Sequence, residues 1–500
     1  MRPHLMSPGD DARPGEPRQG LPGEVIDDLR LEHLWTAMAR GDERLLAVAR
    51  SVISAPLTDP AAIVYRQEVL DDCLRNASPV RALYDLADEA VAAEEKIFRS
   101  GAAGRPQGML NRALRVLEEL CDHLRRLRAF ASGEGRRFRS TGFTRLFASI
   151  RAETDEDYLR EAEAVVEQLR FEHGIIVSVR LGPGNKSVGF RLHEPPGKGR
   201  SPSTRRFRRS GLTYTVPAEH EDSWRAIAAF RDLILEDVAG AAAESAEHVR
   251  DFFLALRDEL GFYVGCLNLA EALSGAGLPV CLPEPRAPAD RALSARGLYE
   301  PCLALSLGGA VVDNDVDADG AGLIMVTGAN RGGKTTFLRS VGLAQLMMQG
   351  GMFVAARSFA ASPADGVFTH FRREEDRSMA HGKLDEELAR MSSVVDRLRP
   401  GALVLCNESF VSTNEREGSD IAAEILRGLA EVGVRAVFVT HLYALAHRVH
   451  ADPPVRCLFL TTGRDAGGEP TFRLAPGAPS RSAHAMDLYA RVFGEPAREN

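Results

Sequence analysis

Five hundred residues are long for one domain; at roughly 150 residues each the expectation is about three, or two large ones. Hydrophobic residues make up 44% and charged residues 26%, so real cores can form and the chain as a whole is neither disordered nor fibrous. The net charge of -8 argues against coating nucleic acid along the whole length but leaves room for a local basic patch. No run approaches the ~18 uncharged apolar residues of a membrane helix, which excludes an integral membrane protein.

The opening stretch, residues 1–22, is Pro/Gly-rich and has no apolar core. It therefore reads as a disordered tail rather than a secretory signal, and the expected compartment is the cytoplasm. The seven cysteines (73, 121, 266, 281, 302, 406 and 457) form no CxxC pair. They are expected to be small buried side chains rather than zinc ligands or disulfide partners.

From about 24 to 135 apolar residues recur at spacings of three and four, as in Leu110, Leu114, Leu117, Leu120, Leu124 and Leu127, which predicts helices. Asp59-Pro60 and Ser78-Pro79 read as helix starts. A further helix is expected over Asp155–Phe171. Gly174–Arg180 and Ser187–Leu192 then alternate and are rich in β-branched residues, with Gly182-Pro183-Gly184-Asn185 between them, a hairpin signal; Leu212–Val216 is a third segment of this kind. Helical periodicity resumes over Asp222–Leu273. Beyond Leu303, short apolar runs at Leu323–Thr327, Met352–Ala355, Ala402–Cys406 and Ala436–Thr440 alternate with helices, the mark of a parallel sheet covered on both faces.

Gly328-Ala329-Asn330-Arg331-Gly332-Gly333-Lys334-Thr335 matches GxxxxGK[ST] between an expected strand and an expected helix. Glycines let backbone N–H groups wrap a phosphate, and the helix N-terminus adds partial positive charge. Thr327 and Thr336 flank this nucleotide-binding run. Lys334 is placed to bridge β- and γ-phosphates and the Thr335 hydroxyl to meet Mg²⁺. The strand ending at Cys406 is followed by Asn407-Glu408. Such sites commonly have Asp at the first position; an amide can still accept from a metal-bound water but carries no charge, so metal affinity and turnover should fall. Glu408 is the candidate general base. His441 closes the next strand, where it could sense the γ-phosphate.

Together these pieces resemble the MutS family of mismatch-repair ATPases. The run Thr327–Thr336 is similar to that family's TGPNMGGKST, including Asn330, which the general motif does not demand. Asn314-Asp315, the segment Leu403–Gly418 and Thr440-His441 resemble the family's Asn-Asp, hhhhDExxxxTxxxxG and Thr-His elements. Gly382, Lys383 and Glu387 stand where the family places the signature that reaches a partner's nucleotide across a dimer, with Gly382 in place of the usual Ser. Ser54–Ile63 is similar to the family's PLTDPxxI, and Gly265–Glu271 looks like its returning lever helix.

The resemblance implies a P-loop NTPase C-terminal α/β domain of ABC-like type over 301–500. It implies a mainly helical lever domain in two parts, 23–136 and 221–300, and a small β-containing, clamp-like insert over 137–220. It further implies ATP and Mg²⁺ as cofactors, a homodimer, and duplex or branched DNA as a sequence-independent partner. About twenty residues precede the lever, so the mismatch-reading and connector domains of a full member are expected to be lacking, and the terminal dimerisation piece after Ser482–Tyr489 short or lost.

In the insert, Lys198, Arg200, Arg205, Arg206, Arg208 and Arg209 put six cations into twelve positions. They are either phosphate contacts that would make binding salt-sensitive or a solvated loop. Two functions remain open: a slow DNA-associated ATPase, and a nucleotide-gated DNA-binding or scaffold protein with little hydrolysis. A small-molecule NTPase has no supporting substrate motif.

Overall fold

The computed structural model describes residues 1–9, 20–97, 105–171, 176–185, 187–193, 221–373, 382–465 and 469–479. Two compact units are present. One comprises Met1–His4 with Asn76–Leu260, the other Leu5–Arg75 with Gly261–Asn500.

The first unit is helical. Ala77–Lys96, Pro106–Gly133, Thr141–Glu153 and Glu156–Leu169 bury their apolar stripes, and Glu221–Gly275 contributes residues up to Leu260. Phe138, Phe143 and Phe147 form a buried aromatic cluster with ring centroids 4.4–5.6 Å apart. Ser140 and Asp155 cap their helices by accepting from Phe143 N and Tyr158 N. The expected hairpin forms: Ile176–Leu181 pairs antiparallel with Ser187–His193 across a turn in which Gly184 takes φ 69°. Leu212–Val216 lies outside the described residues.

The second unit holds two sheets. The larger has strand order 470–476, 457–464, 323–327, 435–439, 403–407, 367–371 and is parallel except for its first strand, which runs antiparallel to 457–464. Side-chain alternation divides its two faces. Leu323, Met325, Val404, Cys406, Ala436 and Phe438 point into a core closed by Ala422, Leu426 and Leu429 of the helix Glu415–Glu431, Met391 of the helix Lys383–Val395 and Leu445 of the helix Tyr443–Ala451. The helix Lys334–Gln349, almost wholly buried, covers the other face, where Gly342 packs against Leu405. The smaller sheet has order 284–285, 358–361, 293–298, 314–317 and is mixed in direction.

Three sequence expectations need correction. Met352–Ala355 is buried but not a strand: only Val354 bridges, to Cys281, and the strand lies at Ser358–Ala361. A continuous apolar run reports burial and does not by itself specify pairing. The helix expected at Ser78-Pro79 starts at Ala77, with Asn76 before it making no side-chain cap, whereas Asp59 does cap Pro60–Arg75 by accepting from Ala61 N. The opening residues are not a disordered tail where they are described: Leu5 is fully buried and its carbonyl accepts from Tyr263 Oη at 2.7 Å. The buried side chains of Leu5 and Met6, with Arg66 Nε donating to Met6 O, anchor an otherwise polar stretch. Residues 23–75 pack with the phosphate-loop side, where Gln349 Nε2 donates to Leu57 O and Arg339 Nε to Asp28 O.

Candidate active site

The strand Leu323–Thr327 feeds directly into the glycine-rich loop, and the helix Lys334–Gln349 starts inside the motif. Gly328 has φ 126° and Gly333 φ 89°, values that L side chains avoid. A second constraint comes from the neighbouring strand: a Cβ on Gly328 would overlap Thr462 Oγ1. Lys334 is 4% exposed and its ammonium donates to Gly328 O at 3.0 Å and Ala329 O at 2.9 Å. Burial lowers its pKa, opposed by the charge of Glu408.

Thr335 Oγ1 donates to Asn407 Oδ1 at 3.0 Å, which ties the loop to the end of the strand Leu403–Asn407. These two oxygens form a hard, oxygen-only set of the kind Mg²⁺ takes together with water and phosphate oxygens, so the residues fit that ion with one formal charge fewer than an Asp would supply.

Glu408 follows in the left-handed region at φ 53°, its N–H donating to Val439 O. Its carboxylate lies 3.7 Å from His441 Nδ1 and 4.0 Å from Arg372. The contact with His441, then the charges of Lys334 and Arg372, hold its pKa below the ordinary value against the opposing effect of burial. Arg372 gave no motif signal; only the pairing of 367–371 with 403–407 places it there. Thr440 is fully buried and accepts from Leu442 N, leaving His441, 41% exposed, as the outward member of the pair.

A buried network supports the loop carrying Glu408. His370 Nδ1 and Ser409 Oγ are 2.7 Å apart, His370 Nε2 lies 3.0 Å from Glu387 O, and the imidazole stacks on Phe410. Burial pushes the His370 pKa down to about 4, so the ring is neutral near pH 7. Of the expected cross-dimer signature, Gly382 and Lys383 are exposed at the start of the helix Lys383–Val395. Glu387 is 3% exposed and accepts from Phe410 N, so its carboxylate is part of the interior. Gly418 lets the helix Glu415–Glu431 approach Phe410, whose carbonyl a Cβ would overlap. Gly418→Ala is therefore expected to cost about 1–3 kcal/mol by overpacking, read as a fall in Tm in thermal unfolding.

A cavity of about 520 Å³ opens over the loop, lined by Asn330–Thr336 and Glu408 on its polar side and by Leu307, Val312 and Phe472 on its apolar side. Asn314, noted in the sequence, shapes that wall: its side chain donates to Phe472 O and accepts from Leu474 N. The expected DNA contacts Lys198, Arg200, Arg205, Arg206, Arg208 and Arg209 lie outside the described residues. Among the described residues no His/Cys/Asp/Glu group forms a metal cluster, and no helix is long and apolar enough to cross a membrane.

A glycine-rich GxxxxGKT loop on a parallel strand, a buried lysine, a Thr–Asn hydrogen bond at the next strand's end and a following carboxylate define a P-loop NTPase domain. The sequence matches the MutS2 N-terminal domain over residues 58–276 and MutS domain V over 324–474. The chain belongs to the MutS family. Relatives include "DNA mismatch repair protein MutS" of Chloroflexus aurantiacus, 28% identical over 257 residues, which cover 48% of this chain and 27% of that protein. "Endonuclease MutS2" of Anaeromyxobacter sp. is 33% identical over 283 residues, 53% of this chain and 33% of that one. "Probable DNA mismatch repair protein Msh6" of Drosophila melanogaster is 28% identical over 259 residues, 51% and 21% of the respective chains. The chain thus spans a third or less of the length of these relatives.

Proposed function

We propose that this chain binds ATP with Mg²⁺ in the cavity over residues 328–336, hydrolyses it slowly, and uses nucleotide state to control how its helical part holds DNA, in the cytoplasm and as a homodimer. The observation that carries the reading is the convergence of Lys334, Thr335 and Glu408 on one cavity, with Asn407 tied to it by the hydrogen bond from Thr335 Oγ1. Lys334 neutralises phosphate charge, and backbone N–H groups of the loop orient the chain of phosphates. Thr335 and Asn407 would hold Mg²⁺, which would supply neutralisation of the phosphate charge. Glu408 accepts a proton from, or polarises, the attacking water, and His441 beside it is placed to respond to the γ-phosphate. Gly382 and Lys383 are the candidates for contact with a partner's nucleotide.

The names of the relatives support DNA as the client, and the basic run 198–209 supports phosphate contacts without sequence preference. The test is ATP turnover with and without duplex, mismatched and branched DNA over a salt series. Stimulation by DNA and affinity falling steeply with salt are expected; salt-independent binding, or none at low salt, would contradict the DNA part.

A second reading, a nucleotide-gated protein with little hydrolysis, is favoured by the neutral partner of Thr335. Restoring the charge in Asn407→Asp is expected to tighten Mg²⁺ and raise single-turnover hydrolysis about tenfold, ~1.4 kcal/mol, because a hydrogen bond to an ionised acceptor is about twice as strong as a neutral one. A wild type that hydrolyses nothing beside an active variant would favour this second reading over the first.

A further inference from the structure

A separate cavity of about 510 Å³ lies within the helical unit, between the first turns of the helix Pro106–Gly133 and the stretch 231–250 of the helix Glu221–Gly275. Its volume falls in the range of sites for small ligands, about 300–1,000 Å³. Its wall is strongly cationic: Arg105, Arg112, Arg115, Arg231 and Arg250 face two carboxylates, Glu94 and Glu247.

Glu94 gives this arrangement its rigidity. It is 3% exposed, and its two oxygens engage Arg112 Nη2 at 2.5 Å and Arg250 Nε at 3.3 Å. A buried carboxylate held between two guanidiniums fixes both in orientation and spends its charge on them. The other three cations are left in excess. Among the described residues no carboxylate pairs with Arg105 or Arg115, and Arg231 has only the adjacent Asp232, at 3.9 Å. The helix start at Pro106 has no side-chain cap and no acidic residue in its first turn, so its partial positive charge adds to the same field.

We propose that this cavity is a second anion site, distinct from the phosphate loop, that takes a compact polyphosphate such as the phosphate chain of a nucleotide. Guanidiniums match phosphate oxygens in pairs, and three left in excess around one concave wall, beside two that Glu94 orients, favour a short multivalent anion over a single ion. The inference stands independently of the nucleotide reading above, because its test is made with the phosphate loop weakened by Lys334→Ala and its charge reversals lie outside that loop.

Full-length Lys334→Ala protein is titrated calorimetrically with tripolyphosphate at low salt, about 20 mM. One site per chain is expected. It should weaken at least tenfold in a protein that also carries Arg115→Glu and Arg231→Glu. Both arginines are exposed, so circular dichroism and Tm should stay unchanged. No heat with tripolyphosphate, or equal affinity after the charge reversal, overturns the proposal. So does a third outcome: charge reversal that abolishes binding of a duplex while tripolyphosphate never binds, since the surface would then be a DNA contact.

Discussion

Glu408→Gln is expected to lower kcat for ATP hydrolysis by about 10²–10⁴-fold, the usual contribution of a positioned general base, while leaving ATP affinity within about threefold. The substitution keeps the shape of the side chain and removes only its charge and basicity. The backbone around it is held independently: Glu408 N donates to Val439 O, and Ser409 Oγ is hydrogen-bonded to His370. Geometry should therefore survive. The surroundings also set the pH dependence. Because His441, Lys334 and Arg372 depress its pKa, Glu408 remains ionised throughout the neutral range. Activity should be lost only as pH falls through a value below the ordinary carboxylate range. Steady-state and single-turnover assays from about pH 3 to 8 check both statements. A glutamine variant with near wild-type kcat would remove Glu408 from the chemistry.

Lys334→Ala is expected to weaken ATP binding about 10²-fold, ~3 kcal/mol, the upper end for hydrogen bonds to a charged group. The reason is local. The ammonium is buried at the mouth of a loop otherwise built of backbone amides, so it is the one formal positive charge within the motif held in the interior. Arg331, the other cation of the loop, is exposed at φ 61°. Calorimetry with ATP and Mg²⁺ measures the loss. If the wild type shows no heat, the nucleotide reading fails altogether; if the variant binds as tightly as the wild type, the phosphate contact lies elsewhere. Folding should be preserved, because the strand Leu323–Thr327 and the helix Lys334–Gln349 are fixed mainly by apolar burial.

Much of the phosphate-loop half was legible because its signals are short-range. Strands Leu323–Thr327, Leu403–Asn407 and Arg435–Val439 formed within a residue of their apolar runs, since a strand buried on both faces is apolar throughout. Of the strands missed, 314–317, 367–371 and 470–476 lie at sheet edges, 457–464 is half-exposed, and 293–298 and 358–361 are internal to the smaller sheet. Their composition is mixed, and only pairing with distant segments makes them strands. That residues 23–75 pack with the phosphate-loop side was not legible for a similar reason. Helical periodicity shows which face is apolar and carries no information about which partner will cover it.

Sequence by itself determined the phosphate cradle, the lysine within it and the Asn407-Glu408 pair, because a strand, a tight glycine turn and a helix start are set by neighbours a few positions apart. Tertiary structure alone decided what surrounds them. Thr462 packs against Gly328, Asn314 ties down Phe472 and Leu474 to build the apolar wall, Arg372 comes to Glu408, and His370 with Glu387 supports the loop from beneath. The contacts of Gly328 and Asn314 join residues more than a hundred positions apart, and which of many similar polar side chains meet there is fixed by sheet order and register, which no local pattern encodes.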